Sequence, residues 1–402
     1  MTAQPDISEF ALAHAAEVVH EEPYAPVGGK LITPWTLFLA VLAAIAAVVL
    51  VDRLAHGLGA VTNINDGFPW GIWIAYDVVI GTAFACGGYA MALLCYIFNK
   101  GEYHPLVRPA LLASAFGYSL GGASVIIDLG RWWNAWHIFS PVYAQPNSVM
   151  FEVALCVACY ICVLWIEFTP TFLEKLGLKN IKHKLNKVIF LFVALGVLLP
   201  TMHQSSLGSL LVVMGYQIHP LWQSPILPIL FLSSALTMGF SIVIFEAVIA
   251  GRNFGRPVET SLLAKVAFVM RGMLALFVAV RLVDLAVRGQ LGHAFDGDLR
   301  SHMFLIEMLL FILPIFMLGK RRRGSLRALF VAAVSMLLAG ALYRIDAYLV
   351  GYLTGAGWNY FPSWSELMLT VGIIAAEVLG YIILVRTLPV LHAAPKTAAG
   401  AH

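Results

Sequence analysis

Ten stretches of about 20 mostly apolar residues mark this chain, and a run of that length is what an α-helix needs to cross a bilayer. They fall at about 34–55, 71–98, 106–128, 148–168, 187–206, 225–249, 261–286, 301–318, 326–346 and 364–387. In lipid every backbone N–H and C=O must be satisfied within the protein, which favours helices for such runs. Composition agrees, with 60% of the 402 residues hydrophobic and 12% charged; a soluble domain sits near half and a quarter. The expected fold is all-α: a polytopic membrane protein with about ten transmembrane helices.

Residues 1–33 are polar, rich in Glu and His, and lack the apolar core of a secretory signal. They read as a disordered cytoplasmic tail before a retained first anchor. The transmembrane domain then occupies 34–387, and 388–402 form a second cytoplasmic tail.

Lys and Arg collect on alternate loops: Lys100 and Arg108; Lys175 to Lys187; Arg252 and Arg256; Lys320 to Arg323 with Arg327. The positive-inside rule puts those loops and both termini in the cytoplasm of a bacterial inner membrane. The opposite, periplasmic loops are long and aromatic, as in RWWNAWHIFSPVYAQPN, and loops of that length usually bind something.

One segment resists simple assignment. LPTMHQSSLGSL, from Leu199 to Leu210, places a histidine, a glutamine and two serines at the end of the fifth apolar run. The following piece, about 206–215, is too short to cross and either continues the fifth helix or forms an interfacial half-helix. On that reading His203 and Gln204 lie near the periplasmic end of the fifth span.

Ionisable groups inside spans are costly and are therefore paired or functional. Arg281 with Asp284 and Arg344 with Asp346 read as structural pairs, and Glu167 and Lys265 as interfacial. Asp77, Arg271 and Glu377 lie deeper. Asp128 and Arg131 close the third span on the periplasmic side, Glu152 opens the fourth there, Glu307 lies two turns into the eighth, and Glu246 sits near the cytoplasmic end of the sixth. Acids and a tyrosine, Tyr118, at several depths are what a proton path requires, with water bridging between them.

Cofactor motifs are sparse. CVACYIC, from Cys156 to Cys162, spaces its thiols like part of a ferredoxin signature, but it lies inside an apolar helix and no fourth cysteine follows. No iron–sulfur cluster and no metal site are expected in this chain. A haem b between helices commonly needs paired histidines; of twelve, only His203 falls within a span, so no haem is expected either. A quinone site fits better. A quinone head needs hydrogen-bond partners for two carbonyl oxygens, a proton donor or acceptor, and an aromatic slot open to membrane lipid. Trp70 and Asp77, Asp128 and Arg131, and His203 with Gln204 supply those groups. Nothing points to nucleic acid.

GFPWGIWIAYDVVIGTAFACGGYAMALLCYIFNKGEYHPLVRPALLASAFGYSLGGASVIIDLGRWWNAWHI resembles the NrfD / polysulfide-reductase family of membrane subunits, nearest to those of Hyb-type [NiFe]-hydrogenases. LPTMHQSSLGSL and YQIHPLWQSPILPILFL are similar to the same group, and the resemblance covers roughly 34–387. It implies two four-helix bundles with a helix added at each side, no haem, and electron exchange between a periplasmic iron–sulfur partner and menaquinone or ubiquinone. The implied partners are a ferredoxin-like iron–sulfur subunit and the large and small [NiFe]-hydrogenase subunits. By the same resemblance Tyr118, Glu152 and Glu246 are proton-transfer positions, and Asp77 and His203 quinone-proximal ones. The chain is then non-catalytic alone. Three other readings stay open: the same role beside a molybdopterin sulfur-compound or formate enzyme, a proton-coupled secondary transporter, and a purely structural anchor. Against the transporter, the polar clusters lie near one face rather than around a mid-membrane site.

Overall fold

The apolar runs become helices whose ends are set by ordinary capping chemistry. In the computed structural model, which describes residues 24–255, 258–355 and 357–393, ten helices are long and apolar enough to cross a membrane. They are α1 (Pro34–His56), α2 (Trp73–Ile97), α3 (Gly101–Asp128), α4 (Val149–Lys175), α5 (Ile189–Gln217), α6 (Leu227–Phe254), α7 (Thr260–Val287), α8 (Leu299–Met317), α9 (Leu326–Val350) and α10 (Trp364–Thr387). The all-α, ten-helix expectation is met, and the chain is a multi-pass membrane protein. At the start of α1 and of α10, Thr33 with Thr36 and Ser363 with Glu366 form capping boxes.

Helices α2–α5 pack into one bundle and α6–α9 into a second, while α1 and α10 pair and lean against α2 and α3. The bundles meet where α6 crosses α2 and α5. Glycine makes these crossings close: a Cβ on Gly208 or Gly239 would strike the backbone of Leu227 or Cys86. Burial ranks the helices, with 83% of the apolar window of α2 enclosed against 17% for α1. Helix α2 is therefore the central element, and α1 faces lipid.

Helix α2 is also irregular. It has π-helical turns at Trp73–Val78 and Leu93–Ile97 and a break between Phe84 and Gly87. Such turns widen a helix and often mark functional positions. The break frees the Gly88 N–H to donate to Ser114 Oγ at 2.8 Å.

Residues 1–23 and 394–402 of the two expected tails lie outside the described residues. Of the rest, Tyr24–Ala25 pairs antiparallel with Leu391–His392. The ambiguous piece 206–215 continues the fifth helix, which runs unbroken from Ile189 to Met214. The cysteines of CVACYIC lie along α4, with Cys156 buried and Cys159 and Cys162 exposed.

Two expected ion pairs are replaced. Arg281 of α7 pairs with Glu307 of α8, and Asp284 pairs with Arg288 instead. Arg344 and Asp346 do not meet. Residues two apart on a helix point to different sides, and Arg344 turns toward the first bundle.

Candidate functional site

The extra length of α5 moves His203 from the helix end to near the middle of the span. It is fully buried there, as are Gln204 and Tyr118. Tyr118 Oη lies 3.4 Å from His203 Nε2. Their rings meet edge-on, and Tyr118 also meets Tyr160 of α4 with 4.5 Å between ring centres. Cys86 Sγ is 3.6 Å from the same hydroxyl. Four helices of the first bundle thus converge on one phenol and one imidazole.

A fifth helix, α9, sets the polarity of this cluster. Arg344 donates to Gln204 Oε1 at 3.4 Å, which leaves the Gln204 amide nitrogen facing Thr82 Oγ1 at 3.2 Å and His203 Nε2 at 3.0 Å. An amide N–H aimed at Nε2 makes that nitrogen the acceptor and leaves the ring proton on Nδ1, an assignment drawn from the bonding network. Among the described residues no carboxylate bonds to Arg344. Its other partners are the Val79, Gly340 and Phe231 carbonyls, Ser234 Oγ and Met238 sulfur.

Glu152, at the start of α4, accepts from Ser206 Oγ at 2.8 Å. Ser206 is three residues beyond His203, so Glu152 lies about one turn away on the same side of α5. On the other side of the cluster, Glu246 of α6 lines a cavity of about 110 Å³ with Tyr381, Pro105 and Val258. Glu377, one turn before Tyr381 on α10, reaches the α3 backbone at Gly117, beside Tyr118; a Cβ there would lie 3.4 Å from its Oε1. Glu246 and Glu377 are within electrostatic range of each other.

The remaining sequence candidates sit elsewhere. Asp77 accepts from Thr370 of α10 at 3.1 Å. Asp128 faces Arg53 of α1, whose guanidinium also holds the Ile127 and Leu129 carbonyls, while Arg131 is exposed. Trp70 donates to the Tyr348 carbonyl at 2.7 Å. The six residues grouped as quinone ligands are therefore not one cluster: His203 and Gln204 join Tyr118, and Trp70, Asp77, Asp128 and Arg131 lie apart. Tyr160 and Thr82 were missed, and Arg344 was read as a structural ion pair with Asp346. The signal for Arg344 was in the sequence, since Asp346 at i+2 was never placed to neutralise it.

Comparison with known proteins gives the family. Residues 60–355 match the family described as polysulphide reductase, NrfD. The chain is 49% identical over 370 residues, 91% of its length and 94% of the relative's, to the "Probable Ni/Fe-hydrogenase 2 b-type cytochrome subunit" of Escherichia coli. It is 26% identical over 373 residues, 84% of its length and 86% of the relative's, to the "Menaquinone reductase, integral membrane subunit" of Nitratidesulfovibrio vulgaris. It is 24% identical over 414 residues, 88% of its length and 93% of the relative's, to a subunit of the selenate reductase of Mesobacillus selenatarsenatis.

The first of these names corrects one expectation. A b-type cytochrome is a haem protein, so the name points to haem, against the reading of the chain as haem-free. That reading counted only paired histidines inside spans, and it is blind to ligands at helix ends or of other types. The residues around the one deeply buried histidine do not fit the group: the Nε2 face of His203 is closed by Gln204 and Tyr118. The other described histidines lie at helix ends or in loops. Among the described residues no three His, Cys, Asp or Glu side chains converge as a metal site. Family match and near-full-length relatives agree: the chain belongs to the polysulphide reductase NrfD family.

Proposed function

We propose that this chain is the quinone-reactive membrane subunit of an oxidoreductase complex, exchanging electrons between a partner's iron–sulfur cluster and menaquinone or ubiquinone, with proton transfer where its first bundle meets α6 and α10. The observation that carries the reading is the Tyr118–His203–Gln204 cluster, buried where α2, α3, α4 and α5 converge. Its support from comparison is the relative named a menaquinone reductase integral membrane subunit.

Reduction of a quinone to quinol consumes two electrons and two protons. The electrons come from the partner, and this chain's part is to bind the head and handle protons. His203 takes at Nε2 a proton that the Tyr118 hydroxyl relays and releases the one on Nδ1, the ring nitrogen that neither Gln204 nor Tyr118 closes, toward the quinone oxygen. Arg344 holds Gln204 in the orientation that keeps Nε2 an acceptor. Glu152, only partly buried, is the outlet on the face of the α3–α4 loop. Glu246, in its cavity on the opposite face, is the inlet, with Tyr381 and Glu377 as stations and water between them.

The lysine- and arginine-rich loops support a cytoplasmic side for that inlet and for both termini, in a bacterial inner membrane. The α3–α4 loop then faces the periplasm, where its exposed Trp133, Trp136 and Phe139 receive a ferredoxin-like iron–sulfur subunit. The relative named a [NiFe]-hydrogenase subunit favours large and small hydrogenase subunits as the rest of the assembly. The relative from a selenate reductase supports the competing assembly, in which the partner is a reductase such as a molybdopterin enzyme. The test is anaerobic purification in mild detergent, identification of the partners, and hydrogen-dependent reduction of a quinone analogue. In the intact complex His203→Ala is expected to cut that reduction about 100-fold or more, the usual size of a lost acid–base group. Unchanged rate and quinone affinity would refute the assignment, and recovery of the chain without redox partners would reopen the transporter reading.

A further inference from the structure

The second bundle holds an ionisable cluster that the proposed path does not use. Arg281 of α7 grips Glu307 of α8 through both ends of its guanidinium, the second contact being 3.3 Å. Trp222, on the α5–α6 loop, donates to Glu307 Oε2 at 2.9 Å. Asp346 of α9 faces the same carboxyl. It is fully buried, and no donor among the described residues reaches either of its oxygens.

Three features mark this as a site rather than a structural bridge. Arg281 pairs with Glu307 and also acts on Asp346 across the cluster, so with both acids ionised two anions would share one cation. The other titratable groups nearby do not supply the balance: Tyr343 lies under the Arg281 guanidinium at 4.4 Å, Asp284 is paired with Arg288, and Arg344 points to Gln204 on the other side of α9. The backbone is also adapted, because Asp346 opens the π-helical turn Asp346–Val350, where the helix widens.

Two carboxyl groups that share an enclosed space do not both ionise; they hold a proton between them. We propose that Glu307 and Asp346 are a proton-binding carboxyl pair, sharing one proton with Arg281 as counter-ion. With that proton the cluster is neutral, and releasing it leaves one net negative charge. The pair lies beneath Trp222 and His219, toward the face that bears the α5–α6 and α7–α8 loops. It is a proton store in the second bundle, separate from the histidine cluster, with the fixed charge of Arg344 on the intervening face of α9. The proposal does not depend on the quinone reading.

Infrared spectroscopy of the purified complex in liposomes tests it, using the C=O stretch of a protonated carboxyl and its shift in D2O. Asp346→Asn leaves the pairing of Arg281 with Glu307 intact and is expected to remove one such band completely. Glu307→Gln, which leaves Asp346 as the partner of Arg281, is expected to remove the same band, because the two acids hold one proton. Glu246→Gln, outside the cluster, should leave it in place. The proposal is overturned if the band survives in Asp346→Asn, or if each substitution removes a different band of its own, as two independent acids would. Should Glu307→Gln fail to fold, Glu307→Asp replaces it: a shift of the band that Asp346→Asn removes supports the shared proton, and an unmoved band overturns it.

Discussion

Glu246 is the residue on which proton entry turns. It lines the cavity between α6 and α10 together with Glu259, and the groups beyond it, Tyr381 and Glu377, lead to the backbone beside Tyr118. Glutamine has the same shape and hydrogen-bonds, but it carries no exchangeable acid proton. Glu246→Gln is therefore expected to abolish any hydrogen-driven proton gradient in liposomes while dye reduction by the catalytic partner stays at the wild-type rate. A full gradient in that variant would remove Glu246 from the path. At this scale the sequence singles out Tyr118, Glu152, His203 and Glu246 simply as polar groups in apolar runs. It was a poor guide to what they touch. Asp128 faces Arg53, seventy-five positions earlier, and not Arg131 three positions later. Arg281 chose Glu307 over its helix neighbour. Partners across a bundle leave no local spacing to read.

The fifth helix shows what an element-level reading misses. Residues 206–215 are too short to cross alone, which left open whether they extend the fifth span; they do, and their hydroxyls are satisfied within the protein: Ser209 Oγ donates to Ser205 O at 3.3 Å, as Ser205 Oγ does to Met202 O at 2.7 Å, and Ser206 Oγ donates to Glu152. A hydroxyl bonded in this way adds little polarity to a helix in lipid. The added turns are what place His203 near mid-span, and they remove the argument that all polar clusters lie near one face. Family membership, not depth, now separates the chain from a transporter. Helix starts are more local and more legible. Asp298 caps α8, its Oδ1 accepting the Ser301 N–H at 2.8 Å, and this bond holds its carboxyl below the usual carboxylate range. Because the folded value is depressed, the stabilisation is fully present above the unfolded value, near 3.8, and is lost as pH falls through the folded value. Asp298→Ala should cost about 0.5–1 kcal/mol at neutral pH, the low end for a lost cap because the site is exposed. A thermal melt should show that difference shrinking below about pH 4. A difference that persists undiminished in acid would mean the aspartate acts through something other than its charge-assisted cap.

The two bundles act as one molecule because α6 can lie directly on α2, and Gly239 is the reason. A Cβ at Gly239 would come within 2.8 Å of the Cys86 carbonyl carbon and 3.2 Å of Ala90 Cβ. The nearest obstacle is backbone, which has no rotamer to move aside, so the helices must separate. Cys86 is also the residue whose thiol touches Tyr118, so a shift of α2 is transmitted to the central cluster. Gly239→Ala is expected to destabilise the protein by about 1–3 kcal/mol, the range for an overpacked contact, and to lower quinone-analogue reduction as the distance between Tyr118 and His203 changes. Gly272 of α7 is the control, since a Cβ there meets nothing within 4 Å. Gly272→Ala should gain up to about 1 kcal/mol from helix propensity and leave turnover alone. Parallel thermal melts and turnover assays separate the two cases. If both substitutions leave the melting temperature and the rate unchanged, the bundles are not held at this crossing, and the coupling between Cys86 and the central cluster loses its structural basis.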